Sequence, residues 1–521
     1  MEKKIMIDGV IAGIIKKIKP QWWAALMSGM ICGLVAYTYI MTNNFLTYDS
    51  TWNIYSDQDM ITSGRQFLTY ACGISSFYNL PWLNGILAIF YLSLAAVVVV
   101  EGLGMESKVG AALSGGLLVT FPAIASTFGY IFTIDGYMLA VLLASLAFLL
   151  ADRTKWGFLG GILLLGVSIG IYQAYLSFTI ILCILRLLLD LLEKEDLKEI
   201  EAKIWRYVVM GIGAYLFYVV TLKLMLNVKG VELSGYQGTD RVASLSLTDI
   251  PAGLVAALKS FGRFFMPGNV LQSNKLLFIS FCLMLLLAAV MYVIHFCKER
   301  RYKSILRIVL AVGLIAAIPF GATIVNILSP DTYFHLLLRL PWALFLIFAL
   351  VLIEIDFKSK KVIADKIWKS GCAIVLVCSL LLIGRFCIMA NIVGFNMNER
   401  YEKTYATCVR IVDRIEQTPG YKTGTKIAIL GGHPNHYYYY PTDITTKDLA
   451  GFFGVDGSVF VASSEGYAKV FKHYLNFTVN YIPAEDELPI VFSEEYQAMP
   501  RFPAEGSIAF IGDVLVVKMD G

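Results

Sequence analysis

The sequence predicts a polytopic α-helical membrane protein of about eleven transmembrane helices, with a small extracytoplasmic α/β domain at its C-terminal end. Three observations predict it. The 521 residues are 57% hydrophobic and only 16% charged, with mean hydropathy +0.67; soluble domains run at roughly 45–50% apolar and about 25% charged. Apolar stretches approaching the ~20 residues that cross a bilayer recur from residue 22 to residue 393. Beyond that point the composition becomes polar and strand-like segments appear. The chain therefore divides into residues 1–21, 22–393 and 394–521.

The first segment contains IDGVIAGIIKKIKPQWW, which reads as an amphipathic helix on the cytoplasmic surface with Trp22 and Trp23 at the interface. No small-residue cleavage site follows the first apolar run, so an uncleaved N-terminus is expected. Spans are expected near Trp22–Met41, Leu80–Val100, Val109–Thr127, Tyr137–Ala151, Trp156–Ile171 and Ala174–Leu192. Others follow near Tyr207–Leu226, Lys275–Phe296, Ile305–Leu328, Leu336–Ile355 and Gly371–Val393. The fourth and fifth are short.

Lysine and arginine fix the orientation, because cytoplasmic loops hold the excess of base. One set of alternate connections carries it: Lys16, Lys17 and Lys19; Lys108; Arg153 and Lys155; Lys194, Lys198, Lys203 and Arg206; Lys298, Arg300, Arg301 and Lys303; Lys358 to Lys369. The other set is poor in base and is expected outside: 43–79, 128–136, 172–175, 227–274 and 329–335. The segment after residue 393 falls on that outer side. In it, Asn396–Thr418 has a helical pattern that ends at Pro419-Gly420. Lys426–Gly432 reads as a short buried strand, and SIAFIGDVLVVKM as a hairpin turning at Gly512-Asp513.

Several function classes are excluded. The nine cysteines show no CxxC pair and no metal-ligand spacing. Nothing matches a P-loop, a GxGxxG turn after a strand, a GxSxG elbow or a nucleic-acid-binding patch, so no nucleic-acid partner is expected. His433 and His436, in GGHPNHYYYY, are two histidines without a third ligand, and this run is better read as a Tyr-rich surface loop. No metal site is assigned, and a divalent cation as helper is left open.

The chemistry concentrates in the first outer loop, within FLTYDSTWNIYSDQDMITSGRQF (Phe45–Phe67). It holds Asp49, Asp57, Asp59 and Arg65 with aromatics between them. A carboxylate such as Asp49, about eight residues past the first span, has one wet and one apolar side and can take a proton from a hydroxyl. Arginine suits bidentate phosphate binding, and Arg65 shares the loop. Asp135 closes a second outer turn, GYIFTID. His335 and Arg339, four apart, share a helical face at the tenth span. Tyr172 and Gln173 in the outer turn, with Trp52 in the first loop, suit a sugar by stacking and hydrogen bonding. Each has a plainer reading: Asp57 and Asp59 as solvated acids, Asp49 as a helix cap, Arg65 as a snorkelling anchor, Arg339 as an interfacial anchor. Arg385, inside the last span, needs water or a partner.

The order YDSTWNIYSDQDMITSGRQF, SSFYNLPWLNGILAIFYLSLA, FPAIASTFGYIFTIDGYMLAVLLASLAFLL and IGIYQAYLSFTI resembles the membrane-embedded Gtr-type glucosyltransferases that decorate O-antigen and related surface glycans. The likeness covers roughly Thr47–Leu185 well and the remainder by layout. It implies a C-type glycosyltransferase (GT-C-like) fold in a bacterial cell membrane. It also implies inverting transfer of a hexose, glucose, from a polyprenyl-phosphate-sugar donor, with a surface glycan or lipid-linked glycan as acceptor, on the extracytoplasmic face. By this resemblance Asp49 is the first candidate base, ahead of Asp57 and Asp135. Arg65 becomes a donor-phosphate contact, with Arg339 and His335 as further candidates. A transporter or lipid-linked-glycan flippase is the alternative; it would place charges inside the spans and two related halves in the chain.

Overall fold

The computed structural model describes residues 13, 16–43, 45, 47–194, 196–235, 250–330, 333–358, 365–431, 452 and 463–519. Most of the expected amphipathic helix at 1–21 lies outside the described residues, as does the run holding His433 and His436.

The membrane part starts with α1 (Pro20–Thr42). The loop at 43–79 follows and carries two one-turn helices, α2 (Tyr48–Trp52) and α3 (Leu68–Cys72). Then come α4 (Pro81–Gly102), α5 (Lys108–Thr120), α6 (Pro122–Phe128), α7 (Ile134–Arg153), α8 (Gly157–Ile171), α9 (Leu176–Glu193) and α10 (Leu197–Lys229). The series ends with α11 (Ile250–Arg263), α12 (Lys275–Lys298), α13 (Ile305–Ala322), α14 (Ile324–Leu328), α15 (Trp342–Lys358) and α16 (Asp365–Gln417). Among the described residues nine helices are long and apolar enough to cross a membrane, and the pair α5–α6, bent by 42°, makes a tenth. With the 15-residue α8, every expected span has a helical counterpart.

The departures have local causes. Phe121 precedes Pro122 and takes an extended conformation (φ −52°, ψ 138°), which a following proline favours, so the third span bends there. The ninth span breaks at Thr323, whose hydroxyl donates to the Pro319 carbonyl at 2.7 Å and so competes with the backbone ladder. The fourth helix starts at Ile134, before the expected position, so Asp135 belongs to its first turn and not to the outer loop. The expected loop 227–274 contains α11, an amphipathic helix whose buried face is Gly253, Ala257 and Ser260. Close backbone approach explains other glycines: a Cβ on Gly115 of α5 would stand 2.3 Å from the Ala25 carbonyl oxygen of α1. Small residues allow such contact between membrane helices, where packing rather than apolar burial drives association.

The helix ends sort the loops into the same two sets as the lysines and arginines. At one end Glu101 accepts from Lys19 (2.8 Å), Trp22 Nε1 (2.8 Å) and Arg153 (2.6 Å). At that end too, Lys203 bridges Asp152 (2.7 Å) and Asp190 (2.5 Å), while Arg186 holds Asp190 at 2.6 Å. Arg301 and Arg307 donate to the last carbonyls of α9, where a cation complements the helix dipole. The opposite end carries the first loop, the α6–α7 turn, the α8–α9 turn and the end of α10.

The polar C-terminal part begins inside α16. This single helix of 53 residues, ~80 Å at 1.5 Å per residue, contains the last span and continues without interruption to Gln417. The division expected at residue 394 thus falls within a helix. Then follow β1 (Lys426–Leu430), α17 (Ser464–Leu475), β2 (Asn480–Tyr481), α18 (Ala484–Val491), α19 (Glu494–Ala498), β3 (Ile508–Ile511) and β4 (Val514–Lys518). The sheet order is β2-β1-β4-β3, with β1 parallel to β2 and β4, and β3 antiparallel to β4. Alternation divides β1: Ile427 and Ile429 meet Cys408, Ile411 and Ile415 of α16 with Phe471 of α17, while Ala428 and Leu430 meet Tyr496 and Ile482. A strand buried on both faces reads as continuously apolar, which is the KIAIL pattern. The hairpin turns at Gly512-Asp513, as expected.

Candidate active site

The first outer loop is fixed by hydrogen bonds that tie it to three neighbouring turns. Thr47 caps α2: its hydroxyl accepts from the Ser50 amide at 3.3 Å, and the Ser50 hydroxyl accepts in turn from the Thr47 amide. The Thr47 hydroxyl also reaches the Gly129 carbonyl between α6 and α7 at 3.3 Å. The cap is therefore Thr47, and Asp49 is released from that role. Asp49 sits in the first turn of α2, and its carboxylate has no hydrogen-bond or ion-pair partner among the described residues. It keeps access to solvent, yet the protein crowded around it removes part of its hydration. That desolvation pushes its pKa above the usual carboxylate range, and the charge of Arg65 pulls it back down.

Arg65 is half-buried and held from two sides. Its Nη1 donates to the Tyr137 hydroxyl at 3.0 Å, and its guanidinium lies 4.9 Å from the centre of the Tyr172 ring. Tyr137 and Tyr172 stack on each other at 4.5 Å with an 18° interplanar angle. The guanidinium plane is thus oriented by two rings, one on α7 and one in the α8–α9 turn. Tyr137 was read from sequence only as the start of a span.

Gln173 does a different job from the expected sugar contact. Its amide nitrogen donates to the carbonyls of Ser63 (3.0 Å) and Gly64 (2.9 Å), clamping the turn just before Arg65. Gly64 has φ +70°, a conformation glycine adopts without cost. Gln66 anchors the other side of Arg65, donating to Thr221 Oγ1 (3.1 Å) of α10.

Asp57 and Asp59 are exposed. The Asp57 carboxylate accepts from the Asp59 amide at 3.2 Å, and Asp59 pairs with Lys229 at the end of α10. They behave as loop and tether residues. Between them Gln58 is fully buried with φ +55°, and neither amide atom of its side chain has a partner among the described residues. Asp135 is only 1% exposed, so it does not face the outer turn; α3 covers it, and a Cβ on the adjacent Gly136 would meet Cys72 Sγ at 3.0 Å. Both its carboxyl oxygens are without a hydrogen-bond partner among the described residues. Trp52 is half-buried on α2, and one ring face is covered by Lys469 of α17 at 3.8 Å. The α/β domain thus rests on the helix that carries Asp49.

Arg339 and His335 form a separate cluster. Arg339 ends a 3₁₀ turn (Leu336–Arg339) before α15 and donates to the Ser260 carbonyl of α11 at 2.8 Å. His335 packs edge-on against Tyr333 at 4.6 Å, and burial lowers its pKa, favouring the neutral ring. The structure thus brings together Asp49, Arg65 and Tyr172, braced by Gln173. Arg339 bonds to Ser260 and Arg65 to Tyr137, and α6, which packs against the Arg339 turn, leads to Gly129 beside Thr47. Among the described residues no three His, Cys, Asp or Glu side chains converge as a metal site would require.

An apolar groove of about 840 Å³ runs between α9, α10 and α13. Its lining extends from Ile204 and Tyr207 at one end to Leu176 and Leu328 at the other, and includes Gly211 and Gly313. Leu176, which lines it, stands four residues after Tyr172 in the chain.

The family profile described as glucosyl transferase GtrII matches residues 38–336, more than half of the chain. The match contains the whole first loop and every residue of the Arg65 cluster, and it stops three residues short of Arg339. No curated protein and no solved structure matches the chain.

Proposed function

The chain belongs to the glucosyl transferase GtrII family, and from that premise we propose that it moves glucose from a polyprenyl-phosphate-linked donor to a surface glycan or lipid-linked glycan on the extracytoplasmic face of a bacterial cell membrane. The observation that carries this reading is Asp49, a carboxylate without a partner among the described residues, within the field of an arginine that two tyrosines orient. Both lie at the end of the helices opposite the basic loops. Residues 394–521 act as an outer domain over that site.

In the proposed step an acceptor hydroxyl attacks the sugar C1 from the face opposite the phosphate. The new C–O bond forms as the C1–O bond to phosphate breaks, which inverts the anomeric centre. The bonding pair leaves with the polyprenyl phosphate, and the Arg65 guanidinium stabilises that charge. Asp49 takes the proton of the attacking hydroxyl. Tyr172 and Trp52 bound the space for the sugar, and Gln173 sets the position of Arg65. The groove between α9, α10 and α13 supports a lipid-borne donor, because its apolar lining suits an isoprenoid chain and includes Leu176, four residues after Tyr172. Purified protein given polyprenyl-phosphate [¹⁴C]glucose and an acceptor glycan should move label from the lipid to the glycan. Label that stays on the lipid with every acceptor offered would sink the reading.

Two variants probe its parts. Arg65→Lys keeps a charge but loses the planar fork, and Arg65→Gln loses both, so activity should fall in that order. Because Arg65 holds the Asp49 carboxyl down, its removal lets that pKa rise. A base works when deprotonated, so the acid limb of the Arg65→Gln pH profile should move to higher pH; an unmoved limb would separate the two residues. Gly211 and Gly313 have no atom within 4 Å of an added Cβ, so leucine at both fits the fold while filling the groove. If the groove holds the prenyl chain, the KM for the lipid donor should rise about tenfold, the equivalent of ~1.4 kcal/mol of lost apolar contact. An unchanged KM would place the chain elsewhere.

A further inference from the structure

Arg339 is 3% exposed, and among the described residues it has no carboxylate partner and one hydrogen bond, to the Ser260 carbonyl. Around it stand three aromatic rings: Phe334 at 5.1 Å, Phe264 at 5.2 Å and Trp342 at 5.5 Å from the guanidinium carbon. Ring faces favour a cation, but they cannot accept the in-plane N–H bonds of a guanidinium, which has five donors. A buried charge is stable only when it is paired or fully hydrogen-bonded. The neighbourhood makes the excess of positive charge larger. Arg263, one helical turn beyond Ser260, is exposed and is close enough to repel Arg339. Of the described acids in the first loop, Asp59 is tied to Lys229 and Asp49 lies in the field of Arg65.

We propose that Arg339, with Arg263 at its rim, is a second phosphate site, distinct from Arg65, which takes the phosphate ester of a lipid at headgroup depth. A phosphate supplies what the cage lacks: negative charge and planar pairs of acceptor oxygens matched to the guanidinium fork. The rings that enclose Arg339 also offer an apolar wall to the first carbons of a lipid chain, so an ester suits the site better than free phosphate. The site stands whether or not Asp49 and Arg65 perform the transfer, and Arg339 itself lies just beyond the stretch matched by the family profile.

The test uses the full-length protein purified in a neutral detergent, with the number of bound equivalents and their affinity read by isothermal titration calorimetry. The probes are farnesyl phosphate, the headgroup lipid phosphatidylglycerol and inorganic phosphate, each against wild type, Arg339→Met, Arg339→Lys and Arg65→Gln. Wild type should bind two equivalents of farnesyl phosphate, and Arg339→Met and Arg65→Gln one each. Arg339→Lys should bind at the second site at least tenfold more weakly, because a point charge replaces the fork. Inorganic phosphate should bind at least tenfold more weakly than farnesyl phosphate. Phosphatidylglycerol competing for the second equivalent would identify a membrane headgroup as the source; failure to compete would identify a prenyl phosphate. Arg339→Met binding as many equivalents as wild type would overturn the proposal; a single wild-type equivalent that Arg339→Met loses and Arg65→Gln keeps would count against Arg65 alone. If Arg339→Met does not fold, the exposed change Arg263→Gln carries the test. It should weaken the second equivalent at least threefold, and unchanged affinity would overturn the proposal equally.

Discussion

Asp49→Asn is expected to give a folded protein that transfers glucose at a hundredth of the wild-type rate or less. The substitution is nearly isosteric and removes only the ability to take a proton. General-base catalysis is typically worth 10²–10⁴-fold, roughly 3–5 kcal/mol of barrier. A structural explanation for such a loss is blocked by the cap of α2, where Thr47 and Ser50 satisfy each other's backbone and leave Asp49 unneeded. The measurement is single-turnover transfer of label from lipid to acceptor, with helicity checked by circular dichroism. Asp57→Asn and Asp59→Asn serve as controls, since one makes a loop turn and the other tethers α10; both should stay within about threefold of wild type. Should Asp57→Asn be inactive while Asp49→Asn works, the base is Asp57. Activity in all three would move the assignment to Asp135, which would then have to be uncovered by movement of α3.

The largest effect on stability is expected at the other end of the bundle, from Lys203→Met. The Lys203 side chain is 4% exposed and lies between Asp152 and Asp190, which are 9% and 0% exposed. Without it two buried carboxylates face each other with Arg186 as the remaining cation and the Tyr207 hydroxyl as a donor to Asp152. Breaking a buried ion pair from one side costs ~3–5 kcal/mol, because the remaining charge is uncompensated. Thermal unfolding in detergent should therefore fall by several degrees, with transfer activity per folded molecule unchanged. The double variant Lys203→Met/Asp152→Asn should regain part of the loss, since it removes the charge along with its partner. A Lys203→Met protein as stable as wild type would mean that water reaches this cluster.

Much of this architecture was legible in the sequence because membrane solvation acts on single residues. Twenty apolar positions in a row announce a span, and lysines in alternate loops pair those loops before any contact is known. The strand KIAIL and the hairpin at Gly512-Asp513 were legible for a similar reason, since burial on both faces and a tight turn leave local patterns. The site was legible only in part. Asp49 and Arg65 were visible as charges in a loop between spans, but Tyr137 was hidden as one aromatic among many at a helix start. Its bond to Arg65 joins residues 72 apart. Gln173 was seen, but its clamp on Ser63 and Gly64, 110 and 109 residues away, was not. The cover that Lys469 lays on Trp52 links the two ends of the chain, and no periodicity carries such information. Asp135 was misplaced because the start of α7 depends on how α3 packs over it.

The unbroken course of α16 sets the azimuth of the outer domain. A helix advances by about 100° per residue, so the direction in which the sheet and α17 face is fixed by the number of residues between the last span and Gln417. One residue inserted after Gly394 would swing α17 through more than a quarter circle and carry Lys469 away from Trp52. Three or four inserted residues would nearly restore the bearing while raising the domain by roughly 5 Å. The length of this strut is therefore held to whole helical turns, as the teeth of a gear are held to their pitch, even where its individual side chains touch nothing.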